Sequence, residues 1–145
     1  MRDREDQVMV RAREQPRALA LKPAFGGQPL ASAAANAVLA VMEREDVPAR
    51  AERAGDRLRA RLVACPEVVT VRGLGLLLAA ELAPGIGAKT VADAALAAGL
   101  VVNAVTPTSL RFAPPLLVTD DEIDEAMAIL ADVLAAVASG EGNPL

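Results

Sequence analysis

Glycine and proline divide this chain into short segments, and this division constrains its fold more than any other feature. Ten glycines and ten prolines are spread over 145 residues. The stretches between them have lengths that suit ordinary helices and strands. From Pro29 onward the hydrophobic periodicity predicts the order helix, helix, strand, strand, helix, strand, strand, helix. This order favours an α+β sandwich in which helices pack on a small, mostly antiparallel sheet.

The predicted elements begin and end at residues that start or stop regular structure. Pro29 and Pro48 suit the first turn of a helix, and Gly99 suits the position just after one. Thr119 and Glu122 form a capping box at the start of the last helix. The strands are rich in Val and Leu. Predicted helices span 29–44, 48–65, 90–98 and a stretch from 119 onward, and predicted strands span 68–72, 76–82, 100–105 and 109–112.

Two connections and three helix faces can also be predicted. Gly73-Leu74-Gly75 is typical of a tight hairpin turn between antiparallel strands. The strand–helix–strand run over 76–105 allows one parallel or crossover pairing. An apolar stripe runs along one face of the first, second and last predicted helices. The arginines on the second helix are expected to form a solvated face. The stripes are Leu30, Ala34, Ala37 and Val41; Ala51, Ala54, Leu58 and Leu62; and Ile123, Met127, Leu130, Leu134 and Val137, and the arginines are Arg50, Arg53, Arg57 and Arg59.

The composition excludes several classes of function. The chain has no His, Trp or Tyr, so histidine-based catalysis, imidazole metal sites and aromatic stacking platforms are ruled out. Its net charge is -4 and its pI about 4.9, which argues against nucleic acid as a partner. Cys65 is the single cysteine and is expected to be a small buried residue. We expect a cytoplasmic protein without a signal peptide, a membrane span or a metal site.

The chain is expected to consist of four segments. Residues 1–22 carry a net charge of +2 and their apolar residues follow no sustained period, so residues 1–23 are expected to form a disordered arm. A connecting turn and long helix over 24–46 precede the main domain over 47–139, and 140–145 form a tail.

Arg111 is the residue that points most directly to chemistry. It lies in the apolar strand end Leu110–Pro115, where its guanidinium must be either paired or exposed at the mouth of a cleft. The planar fork of donors suits a carboxylate ligand. A structural ion pair with an acidic neighbour remains the alternative.

Other charged and glycine-containing motifs point less directly to a function. Gly26 and Gly27, before a helix, are compatible with an anion site but also with a plain turn. Lys22 and Lys89, the only lysines, lie in poor contexts for a covalent cofactor anchor. The acidic cluster at the start of the last helix is expected to serve capping, and its members are Asp120, Asp121, Glu122, Asp124 and Glu125.

The order of four motifs resembles the C-terminal part of class III aminotransferases that use pyridoxal phosphate (PLP), in the acetylornithine/ornithine branch. The resemblance covers about Phe25 to Ala138, and residues 1–23 are unmatched by it. The motifs are Phe25-Gly26-Gly27-Gln28-Pro29-Leu30-Ala31, Val71-Arg72-Gly73-Leu74-Gly75-Leu76-Leu77-Leu78-Ala79-Ala80-Glu81-Leu82, Ala98-Gly99-Leu100-Val101-Val102-Asn103-Ala104-Val105, and the stretch 110–125.

This resemblance implies the small domain of a fold-type I PLP enzyme, packed in the intact enzyme against a large domain in a homodimer. It assigns Arg111 to substrate-carboxylate binding. It also assigns Ala24, Gly26 and Gly27 to weak phosphate contacts across the dimer, where Ala24 replaces the family's threonine and lacks its hydroxyl. No catalytic residue is assigned, because the Schiff-base lysine and the aspartate facing the pyridine nitrogen belong to the large domain.

The resemblance therefore implies a fragment of an acetylornithine-type enzyme of arginine biosynthesis, which transfers an amino group between an ornithine-like donor and 2-oxoglutarate. We expect the chain to be inactive and not to bind PLP stably by itself. A large domain or second subunit is the expected partner, and self-association is expected through exposed apolar surface, chiefly that of the alanine-rich helix from Leu30 to Val41. A noncatalytic module that binds a small metabolite or an aminotransferase subunit is the alternative.

Overall fold

The computed structural model describes residues 28–140. The chain divides into two compact units, one ending at Glu45 and the other beginning at Asp46. Helix α1 in the first unit spans Pro29–Arg44. Pro29 stands in its first turn, where a missing amide hydrogen costs no hydrogen bond. None of the residues of α1 is buried, so its predicted apolar face is largely open.

The second unit contains three helices and a four-stranded sheet. Within the described residues the strand order is β1-β2-β4-β3, and each neighbouring pair is antiparallel. This arrangement confirms the predicted α+β class and the predicted order of elements. The elements are α2 (Val47–Val63), β1 (Val68–Leu74), β2 (Leu77–Leu82), α3 (Ala88–Ala97), β3 (Asn103–Ala104), β4 (Ser109–Phe112) and α4 (Asp120–Ala138).

One face of the sheet packs against the helices and forms the core. Alternate residues of β2 and β4 point into this layer, as the two-residue period of a strand requires. The predicted stripes of α2 and α4 face the same layer, although Ala51 and Val137 are only partly buried. Cys65 is buried there too, and burial raises the pKa of its thiol. The buried strand residues are Leu78, Ala80, Leu82, Leu110 and Phe112.

The predicted strand over 100–105 is mostly wrong, since only Asn103 and Ala104 pair with β4. The amide of Leu100 donates instead to the carbonyl of Ala95 at 2.8 Å, and this bond closes the end of α3. Gly99 has a φ of +92°, in keeping with its predicted role as a helix stop. The crossover β2–α3–β3 exists, but β4 lies between β2 and β3, so the described strands include no parallel pair.

The hairpin between β1 and β2 lies against α2. Strand β1 continues through Gly73 to Leu74, which shortens the predicted three-residue turn. A Cβ atom on Gly55 of α2 would lie 2.3 Å from the carbonyl oxygen of Gly75. Arg59 donates to the carbonyls of Val71 and Gly73 at 3.0 and 2.7 Å. The helix thus holds the outer edge of the sheet in place.

None of the helices in the described part of the chain is long and apolar enough to cross a bilayer.

Candidate carboxylate-binding site

The candidate site is the face of the sheet that the three described helices of the second unit leave uncovered. In β4, Leu110 and Phe112 enter the core, so Ser109 and Arg111 lie on the opposite side, where Ser109 is buried in contact with Arg72 and Glu81 and Arg111 is exposed. We call this side the open face. It also carries Arg72 of β1 and Glu81 of β2, and the pairing of the strands brings these charged residues together.

Arg111 lies at the centre of three strands and is exposed. It stands opposite Ala79 of β2 on one side and Asn103 of β3 on the other. Its guanidinium makes no hydrogen bond or ion pair with any residue between 28 and 140. Of the two states that the sequence allowed, the described structure has the exposed one.

Glu81 lies two residues after Ala79 on β2. It forms a hydrogen-bond network through both of its carboxylate oxygens. Arg72 donates from Nη1 to Glu81 Oε2 at 3.1 Å and from Nη2 to Ser109 Oγ at 3.2 Å. The hydroxyl of Ser109 donates to the same carboxylate oxygen, and that of Thr108 donates to Oε1. Hydrogen bonds from Ser109, Thr108 and Arg72 lower the pKa of Glu81 from 4.5 to about 2. Glu81 is therefore a stable carboxylate at neutral pH.

Sequence reasoning missed this network. Arg72 and Glu81 are nine residues apart in a hairpin, and Ser109 lies in a different strand. Their meeting depends on the register between strands, which the composition of each strand does not reveal. The only local sign of the network in the sequence is the charged residue Glu81 within the otherwise apolar run 76–82.

The arginines of α2 are less solvated than predicted, because several contact other elements. Arg57 and Arg61 both bind Asp124 of α4, at 2.5 and 2.9 Å. Bonding to Arg57, and then to Arg61, lowers the pKa of Asp124. Arg57 also reaches Asp120 at 3.5 Å. This cluster joins two helices and lies on the helix side of the sheet.

The acidic residues at the start of α4 serve different purposes. Glu122 completes the capping box with Thr119, as predicted. Asp124 instead forms ion pairs with the α2 arginines, so capping does not describe the whole cluster. Among residues 28–140, no group of three or more His, Cys, Asp or Glu residues is arranged to hold a metal ion.

An apolar cavity of about 350 Å³ lies at the end of β4, between α2 and α4. Val101, Phe112, Pro114 and Ile123 are among its lining residues. Phe112 points away from the open face, so this cavity and Arg111 lie on different sides of the sheet.

The described residues do not fit a PLP site. Lys89 is the only lysine in the described range, and its ammonium is exposed and pairs with Asp93 at 2.6 Å. A covalent cofactor anchor is instead a lysine held in an apolar pocket or beside another cation. The other residues predicted to contact a cofactor, Ala24, Gly26 and Gly27, lie outside the described residues, as does Lys22.

Comparison with known proteins supports a single family. Residues 5–134 match the model of the family described as aminotransferase class-III, a range that includes most of segment 1–23. The chain is 49% identical over 111 residues to the acetylornithine aminotransferase of Bifidobacterium longum, covering 75% of this chain and 26% of that protein. It is 44% identical over 123 residues to the ornithine aminotransferase of Bordetella pertussis, covering 83% and 30%.

Solved structures show the same fold. The N-acetylornithine aminotransferase of Stenotrophomonas maltophilia aligns with a TM-score of 0.72 and 31% identity over 79% of this chain and 33% of that one. The ornithine aminotransferase of Toxoplasma gondii, whose active site holds PLP at partial occupancy, gives a TM-score of 0.70 and 30% identity over 88% and 32%. The chain thus spans about a third or less of the proteins that it matches.

Proposed function

Because the chain belongs to the class III aminotransferases, we propose that it acts as the C-terminal part of an acetylornithine- or ornithine-type enzyme and binds a substrate carboxylate through Arg111. One observation carries this proposal. Arg111 is an exposed guanidinium on a strand that is paired on both sides, and it has no partner among residues 28–140. A guanidinium that is not already neutralised by a neighbouring anion is what recognition of an anionic substrate requires.

The surroundings of Arg111 favour a planar anion. Ala79 opposite it has only a methyl group, which leaves space beside the guanidinium. The guanidinium offers parallel N–H donors that match the two oxygens of a carboxylate. Because β4 is paired on both sides, the Cα atom of Arg111 is held in place without help from a ligand.

The transfer of an amino group requires parts that residues 28–140 do not supply. PLP, when bound in the whole enzyme, provides the carbonyl group that accepts and returns the amino group. We assign PLP and its lysine to a large domain, which this chain must meet to act on an ornithine-like donor and 2-oxoglutarate. We also propose that this reaction belongs to arginine biosynthesis, as the resemblance to the acetylornithine branch implies.

Exposed apolar side chains support a partner of this kind. Val69, Leu74 and Leu77 of the β1–β2 hairpin are 64%, 88% and 60% exposed, and Val101 is 77% exposed. Apolar surface of this sort on a soluble protein commonly marks an interface. We assign these residues to contact with a large domain or a second subunit. When no large domain or second subunit is present, sedimentation of the isolated chain is expected to show self-association that increases with concentration.

A chimera tests the proposal directly. Residues 28–140 would replace the matching C-terminal part of the Bifidobacterium longum acetylornithine aminotransferase, and activity would be measured with N-acetylornithine and 2-oxoglutarate. We expect an active chimera, whereas the isolated chain should show no turnover with added PLP. Arg111→Ala should lower kcat/KM about 10- to 150-fold, since a charge-assisted pair contributes about 1.5–3 kcal/mol.

Two further variants make the result specific. Arg111→Lys should recover only part of the activity, because an ammonium keeps the charge but loses the fork of donors. Arg53→Ala removes an exposed arginine of α2 and should leave kcat/KM unchanged. A folded chimera in which Arg111→Ala has no effect on kcat/KM would refute the role of Arg111. Turnover by the isolated chain would refute the proposal that it needs a large domain.

A further inference from the structure

Glu81 has two possible arginine partners on the open face. Arg72, Ala79 and Arg111 lie in one row across β1, β2 and β4. Glu81 stands two residues from Ala79 on β2, so it is a diagonal neighbour of both arginines. Diagonal neighbours on one face of an antiparallel pair are about 7–8 Å apart, within reach of long side chains. The carboxylate can therefore pair with either guanidinium.

The structure shows Glu81 paired with Arg72 only. Arg72 and Ser109 donate to one of its oxygens and Thr108 donates to the other, while Arg111 donates to neither. The low pKa of Glu81, about 2, agrees with a carboxylate that accepts hydrogen bonds from Ser109, Thr108 and Arg72. The ionic competitor nearest to Arg111 within the sheet is thus already occupied.

The donors that hold Glu81 are themselves fixed by the backbone. The amide of Leu82 donates to the carbonyl of Thr108 at 2.8 Å, and the Thr108 amide donates to Thr106 Oγ1 at 3.3 Å. On the other side, Arg59 holds the carbonyls that flank Arg72 in β1. Both arms of the network are therefore positioned before any ligand binds.

We propose that Arg72, with the hydroxyls of Thr108 and Ser109, is a positioning residue that holds Glu81 away from Arg111 and thereby keeps the Arg111 guanidinium available to a carboxylate ligand. The ligand part of this statement rests on the function proposed above. Without Arg72, the carboxylate of Glu81 would lose its ionic partner and turn to Arg111. The chain would then neutralise its own anion site.

The test uses the full chain labelled with ¹⁵N arginine and follows the Nε–Hε signal of Arg111, assigned from Arg111→Lys. Glutarate, a simple dicarboxylate, is the probe. In the natural chain, glutarate should shift the Arg111 signal. In Arg72→Met, the Arg111 signal should move before glutarate is added, and the apparent Kd should rise about two- to fivefold, the range expected for competition by a surface ion pair.

Controls separate positioning from loss of charge. The double variant Arg72→Met/Glu81→Gln should return both the signal and the Kd to their natural values. Arg53→Met removes one positive charge elsewhere and should change neither. Glu81→Gln alone keeps the shape of the network and should leave the Arg111 signal in place. That variant still tests the proposal if Arg72→Met does not fold.

The outcomes distinguish this inference from the proposed function. An Arg111 signal that stays in place in folded Arg72→Met, or one that moves in Glu81→Gln, would overturn the positioning role. If glutarate leaves the Arg111 signal of the natural chain unchanged while Arg72→Met shifts it through Glu81, the positioning role stands and carboxylate binding by Arg111 is refuted.

Discussion

The two faces of the sheet are formed by the same strands but differ in the burial and the charge of their residues. On the covered face, residues such as Leu78 and Leu110 are at most 1% exposed and belong to a core that also contains residues of three helices. On the open face, the alternate positions carry Arg72, Glu81 and Arg111, which are linked by hydrogen bonds or left free. Stability and the proposed recognition of a carboxylate thus fall to alternate residues of the same strands.

This separation has a physical basis. Burial of apolar area contributes about 25 cal/mol per Å², whereas exposed ion pairs contribute little to folding. A guanidinium can therefore be left unpaired on the open face at small cost, provided that the covered face holds the strands in register. Substitutions on the two faces should consequently affect different measurements.

The largest effect is expected from the covered face. Leu110→Ala removes a side chain with 0% exposure at the centre of the core and should lower the free energy of unfolding by about 2–5 kcal/mol. Leu77→Ala is the matched control, since Leu77 lies on the open face of β2 and is 60% exposed. Urea denaturation of the full chain would measure both. Equal losses at the two positions would contradict the division between the faces.

A smaller loss is expected where α2 contacts the hairpin. Alanine suits a helix interior better than glycine by about 1 kcal/mol, which alone would make Gly55→Ala stabilising. Its Cβ, however, would lie 2.3 Å from the backbone oxygen of Gly75, which cannot rotate away. We expect the clash to dominate and the free energy of unfolding to fall by about 1–3 kcal/mol.

Ala60→Gly, at an exposed site on the same helix, controls for propensity. It should cost about 1 kcal/mol without any clash. If Gly55→Ala increased the stability by a similar amount, the hairpin would have to lie farther from α2 than the structure shows.

The open face should contribute to stability in a pH-dependent way. The pKa of Glu81 is about 2 in the folded chain and 4.5 ordinarily, so its stabilisation is full above about 4.5 and is lost as the pH falls towards 2. Glu81→Gln should therefore flatten the fall in unfolding free energy over this range. Urea denaturation at several pH values measures the slope. Asp124, whose pKa is also lowered, provides a background slope common to both chains. An unchanged slope in Glu81→Gln would show that its network is absent in solution.

The order of the elements was predictable because it depends on local signals. Helix α4, for example, is indicated by residues within its own segment and directly before it. They are the capping box at Thr119 and the spacing of Ile123, Met127 and Leu130. The strand over 100–105 was not predictable, because Leu100 completes the end of α3 rather than joining the sheet. Whether a short apolar segment pairs as a strand depends on which elements lie beside it in the fold, and the local sequence pattern does not reveal this.

The candidate site was only half predictable for the same reason. Arg111 could be singled out from the sequence because it is a charged residue within an apolar strand. Its lack of a partner could be seen only in the folded sheet. The contacts of Glu81 depend on the pairing of β1, β2 and β4. Residues Ala24, Gly26 and Gly27 lie outside the described residues, so their assignment to a cofactor phosphate stays a prediction.

The smallest effect should come from Arg111 itself when stability rather than catalysis is measured. Its side chain is exposed and makes no ion pair with residues 28–140, so Arg111→Ala should change the unfolding free energy of the full chain by no more than about 0.5 kcal/mol. Arg57→Ala is the informative contrast, because Arg57 binds Asp124 at 2.5 Å and its removal leaves that carboxylate with fewer donors. Urea denaturation of both variants should show the larger loss for Arg57. A loss at Arg111 equal to that at Arg57 would make Arg111 part of a structural ion pair, and the free guanidinium that supports carboxylate binding would then not exist in solution.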